Sequence, residues 1–90
     1  MATHLINEEK QIIKLVEQLP LGERVTAKLA KTIEEKGFNE ELAKEIHDRI
    51  TKAQEKDEEN RAALGRFSME LAGLVRRWRL ASQSQHFAKH

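Results

Sequence analysis

The sequence predicts an all-α fold: a short helical hairpin plus a long heptad-patterned helix, packed as a helical bundle. Three observations carry that reading. Apolar residues recur at steps of three and four along most of the chain, the period of one helix face. The one Pro and four Gly stand singly, so strong breakers are few. No stretch alternates as a half-buried strand would. Ninety residues make one domain. We place it at residues 1–81, with residues 82–90 as a flexible tail that loses the pattern.

The first helix is expected from Asn7 to about Gln18. Asn7 is its candidate cap, and Glu8 and Glu9 suit the positive end of the helix dipole. Ile12, Leu15, Val16 and Leu19 share one face, with Ile13 beside them. Pro20 disfavours helix at Leu19, and Leu21-Gly22 reads as a short connection. The second helix is expected from Glu23 to Lys36, where Val25, Leu29 and Ile33 form a stripe widened by Ala30. Gly37 is a stop signal. As a left-handed C′ residue it places Ile33 at C3 and Phe38 at C″, the contact pair of a Schellman ending. Asn39 then caps the next helix, with Glu40 and Glu41 in its first turn.

No Pro occurs from Glu40 to Ala81. Ala43, Ile46, Ile50, Ala53, Asp57, Asn60, Leu64, Phe67, Leu71, Leu74, Trp78 and Ala81 keep one heptad register, in which only Asp57 and Asn60 are polar. We read this stretch as one helix of about 60 Å. The alternative is a turn in the polar run 54–61, with Asp57 capping a fourth helix. The single-helix reading has a consequence. The two short helices cannot sheath both ends of so long a helix, so a partner chain would be needed, most simply in a dimer. A turn near Asp57 would instead permit a compact four-helix monomer.

Composition excludes several classes. There is no Cys, hence no disulfide scaffold, no Cys-based zinc site and no thiol nucleophile. No apolar run approaches a membrane span, and the N-terminus lacks the basic and apolar regions of a secretory signal. Cytoplasmic residence is the expectation. The near-neutral net charge of +1 hides a split. Residues 1–60 carry 10 basic and 14 acidic side chains, and residues 61–90 carry 6 basic against Glu70 alone. The second half is therefore the basic half.

The candidate site lies there. Leu64, Phe67, Leu71, Leu74 and Trp78 form an apolar stripe that ends at Arg76, Arg77 and Arg79. Trp and Arg are enriched at interface hot spots, and an acidic partner suits this segment. Three arginines with an aromatic also suit phosphate, but the plainer reading puts Trp78 in a core and the arginines in solvent near a helix C-terminus. Ala62, Gly65, Met69, Ala72 and Gly73 make a stripe of mostly small residues, read as close packing within the bundle. His86 and His90 have chelating spacing but no supporting carboxylate, and His47 reads as a surface histidine. Glu41, Glu45 and Asp48 sit among Lys44, Arg49 and Lys52, which favours ion pairing over a metal site.

No Ser or Thr stands in a nucleophile motif, and no glycine-rich phosphate loop occurs. We therefore expect a non-enzyme that needs no cofactor or metal. The reading is a helical protein–protein interaction module that self-associates or binds an acidic-surfaced partner, in a small regulatory or adaptor role. Nucleic-acid binding through Arg76, Arg77, Arg79 and the tail is the alternative. A helix-turn-helix across residues 27–48 is disfavoured, because Glu40, Glu41, Glu45 and Asp48 would face phosphates.

Overall fold

The computed structural model describes residues 5–88, with side chains described through Gln83. It is an all-α helical bundle. Among the described residues the order is α1 (Asn7–Gln18), α2 (Glu23–Lys36), α3 (Glu40–Lys56) and α4 (Arg61–Ala88), with no strand. Helix α1 packs on α2 and on α4, and α3 packs on α4. The long helix α4 is thus shared by both sides of the molecule. Its backbone stays helical to Ala88, past the last heptad position at Ala81. Lys89 and His90, and with them the His86–His90 pair, lie outside the described residues.

The start of α1 differs from the expectation. Asn7 is already helical, and Ile6 takes the cap position. Ile6 has no side-chain acceptor, so the end is secured from the other direction. Glu9, three residues into the helix, reaches back and accepts the Ile6 N–H at 3.0 Å through Oε1. This is the acidic half of a capping box. The second oxygen of the same carboxylate accepts the Phe38 N–H at 2.8 Å. Glu9 is only 9% exposed, so one buried carboxylate ties the start of α1 to the α2–α3 junction.

That bond also explains how the junction departs from a Schellman ending. Gly37 has the expected positive φ of 82°, but its ψ of 170° lies outside the left-handed helical region. This conformation is essentially restricted to glycine. The Gly37 N–H closes α2 by donating to the Ile33 carbonyl at 2.8 Å. The Phe38 N–H, which a Schellman motif would return to Ile33, turns away to Glu9. Phe38 and Ile33 are nevertheless both buried in the core. Asn39 caps α3 as expected, accepting the Leu42 N–H at 2.8 Å through Oδ1.

The single helix over 40–81 does not form. The chain breaks at residues 57–60, so the heptad stripe belongs to two helices. Asp57 closes α3 with φ −119° and ψ 95°. Its Oδ1 accepts the Asn60 N–H at 3.2 Å, and its Oδ2 accepts the Asn60 Nδ2 at 2.7 Å. The hydrogen bonds from Asn60 hold the Asp57 carboxyl below its usual pKa. Across the turn, Gln54 Nε2 donates to the Arg61 carbonyl at 3.1 Å, and Arg61 Nε returns a bond to the Gln54 carbonyl at 3.0 Å. The turn needs neither Gly nor Pro, because Asp and Asn side chains supply the bonds that a helix would have made through its backbone.

Folding back places Ile46 and Ile50 of α3 and Leu64 and Leu71 of α4 in one core with Ile12, Val16 and Ile33. Because α4 has a neighbour on each side, its buried stripe is wider than the heptad. Val75 joins Leu74 in the core, a position outside the sequence-derived register. Trp78 meets Phe38 edge to face, with ring centroids 4.9 Å apart and planes at 87°. The two rings pin the C-terminal half of α4 to the α2–α3 junction.

Replacing Glu9 with Ala strips the acceptor from two backbone donors, one of them in a buried bond. We expect a loss of about 2 kcal/mol, the scale of hydrogen bonds to a charged group. Urea denaturation checks it, and a change below about 0.5 kcal/mol would contradict the clamp. Gly37→Ala forces a Cβ into glycine-only backbone and should cost about 1–3 kcal/mol by the same measurement.

Candidate functional site

The residues singled out from the sequence divide into two groups. Leu64, Leu71 and Leu74 are buried, and Phe67 and Trp78 pack partly buried against the same core. One chain's own helices therefore cover this stripe. Trp78 presents its ring to Phe38, which removes it as an open platform for base stacking. Arg76 and Arg77 are exposed. Arg79 is engaged: Nε and Nη2 donate to the two carboxylate oxygens of Glu40 at 2.8 and 2.7 Å. This fork-to-fork pair joins the start of α3 to α4. The hydrogen bond from Arg79, reinforced by its charge, holds the Glu40 carboxyl below its ordinary range.

The face of α4 opposite the core carries a second stripe. Each core position of the heptad has a counterpart two residues on: Arg66, Met69, Gly73, Arg76 and Leu80. A two-residue step turns roughly 200° around a helix, so Met69 and Leu80 point away from the bundle, while Arg76 lies at the edge of this face beside α3. Met69 is 77% exposed and Leu80 61%. They are large apolar side chains in open solvent. Ala72 and Arg77 are exposed beside them. A Cβ placed on Gly73 would meet nothing within 4 Å, so packing inside this chain does not require the glycine. Gly65 differs, since its Cβ would come within 3.3 Å of the Gln54 amide. The small-residue stripe read as internal packing is thus largely an open surface. The sequence pattern marks Met69 only as part of that stripe and gives Leu80 no role. The available signal was the same step of three and four, displaced by two.

Arg66, Arg76 and Arg77 have no ion-pair partner among the described residues. The exposed face is therefore apolar at two points and positively charged between and around them. On α3 the ion pairing is ordinary, with Arg49 Nε 3.7 Å from Glu45 one turn away. His47 is exposed, as expected. No group of His, Asp and Glu among the described residues is arranged to hold a metal. No described helix is long and apolar enough to cross a membrane.

The Glu40–Arg79 pair has a signed pH dependence. A carboxyl lowered in the folded state stabilises fully above its unfolded pKa and loses that contribution as pH falls through the folded value. Denaturation curves of the wild type and Arg79→Gln should therefore differ at neutral pH and converge in acid. A difference that persists with Glu40 protonated would sink the assignment. In comparisons with known proteins, no family model, curated relative or solved structure matches this chain.

Proposed function

We propose that the chain is a non-catalytic helical interaction module that docks an acidic, amphipathic protein partner along the outer face of α4. The observation that supports this is the pairing of exposed Met69 and Leu80 with unpaired arginines on one helix face. Burying both apolar side chains contributes about 3–6 kcal/mol. Association itself costs an estimated ~4–15 kcal/mol. The apolar anchors alone are therefore too weak, and the arginines must find carboxylates for a complex to persist.

Charge favours a foreign partner over a second copy. Symmetric pairing of two α4 faces sets Arg66, Arg76 and Arg77 against their own counterparts, with Glu70 as the sole acid of the segment. The acidic residues of a second copy lie on its earlier helices. Meeting them would need the outer face of α4 in one copy to pack on α1–α3 of the other. The geometric need for a dimer also lapses once residues 40–81 form a hairpin. In this reading the role is regulatory or adaptor-like, and the surface works by complementarity rather than chemistry.

Site-specific photocrosslinking in the source cells tests the proposal. Benzoylphenylalanine installed at Met69 or Leu80 should yield a discrete protein adduct whose crosslinked peptide is rich in Asp and Glu. The same probe at exposed Lys28 on α2 should not, and Arg76→Glu with Arg77→Glu should abolish the adduct. Equal adducts from Lys28 would overturn the proposal, as would adducts only with a second copy. Adducts with nucleic acid would transfer the function to phosphate binding.

A further inference from the structure

The α3–α4 hairpin is latched at both ends, and between the latches the outer side of its seam is open. Gln54 meets Arg61 near the turn, and Glu40 meets Arg79 at the far end. Between the latches the facing residues are small: Ala43 on α3, and Ser68 and Ala72 on α4. They leave a cleft of about 410 Å³ where larger side chains would close the seam. That volume lies within the range of small-ligand sites. Its floor is apolar, formed by the buried Leu71 and Val75.

The cleft also bears an unbalanced charge. Lys44 and His47 stand one turn apart on α3, and Arg76 enters from α4. Glu40 is the one carboxylate among the lining residues, and both its oxygens are taken by Arg79. Lys44 and Arg76 have no ion-pair partner among the described residues. Two free cations therefore flank an apolar floor, with the His47 ring and the Ser68 hydroxyl as further hydrogen-bonding groups.

We propose that this cleft binds a small phosphate monoester: a phosphoryl head on a short apolar stem. Two cations on opposite helices match a dianionic head better than a singly charged carboxylate, and a guanidinium fork suits phosphate oxygens. The stem lies over the apolar floor. The cleft shares Arg76 with the docking face of α4 but none of its apolar anchors, because Met69 and Leu80 do not line it.

Isotope-labelled protein titrated with hexyl phosphate, inorganic phosphate and hexanol provides the test, read by backbone amide shifts. Hexyl phosphate should saturate, moving the amides of Ala43, His47, Ser68 and Ala72. Burial of two methylenes makes it about tenfold tighter than inorganic phosphate. Lys44→Gln and Arg76→Gln should each weaken binding about fivefold. Ala72→Leu, at an exposed position that tolerates the larger side chain, should fill the cleft and abolish binding with the thermal melt unchanged. Leu80→Gln should leave binding intact, which separates this site from the docking face. Equal affinity for inorganic phosphate would overturn the proposal. So would shifts centred on Arg66 and Arg77, or full binding by Ala72→Leu.

Discussion

The carboxylate of Glu9 is the constraint on which the arrangement turns. A buried carboxylate is costly unless its lone pairs are satisfied. Here two backbone N–H groups satisfy it, from Ile6 and from Phe38. The two donors are far apart in sequence, so holding both fixes where the α2–α3 junction sits relative to α1. Everything downstream inherits that placement. Phe38 is set in the core, its ring meets that of Trp78 in a T-shaped contact, and α4 is thereby positioned along the molecule. The unusual backbone of Gly37 fits the same account. With a conventional Schellman turn, the Phe38 N–H would be spent on Ile33 and the clamp lost.

The second organising feature is the shared use of α4. A helix of 28 residues spans about 42 Å, enough to receive α3 along one side and α1 along the other. This is why Leu74 and Val75 are both buried although they are adjacent in sequence. One side of α4 serves the α1 contact and the next serves the α3 contact. The Asp57–Asn60 turn makes this possible by reversing the chain, and the Gln54–Arg61 bonds hold the two helices of the hairpin together at the turn.

Burial of the inner stripe leaves the outer face of α4 as the feature without an internal purpose. Met69, Leu80 and the free arginines contribute nothing visible to the packing of their own chain. Exposed apolar side chains scattered singly are unremarkable on a protein surface. Their placement on one helix face, in a segment with a single acid, is what supports an interaction role. Trp78 changes meaning as well. In sequence it adjoins three arginines and suggests a binding motif. In three dimensions it faces inward, Arg79 is bound to Glu40, and Arg76 and Arg77 have no ion-pair partner among the described residues.

Sequence alone determined the helical class, the extents of α1 and α2, the Asn39 cap and the basic character of the C-terminal third. These are local properties: periodicity, breakers and caps act within one or two helical turns. It also held the signal for the break, since Asp57 and Asn60 are consecutive polar residues on an otherwise apolar stripe. Periodicity could not interpret that signal, because two helices facing one core carry the same pattern as one unbroken helix. Only the tertiary structure decided that the stripe folds back on itself, that Glu9 reaches Phe38, and which arginines stay free. Those outcomes depend on contacts between residues distant in sequence. A heptad records that a face is apolar and is silent on what covers it.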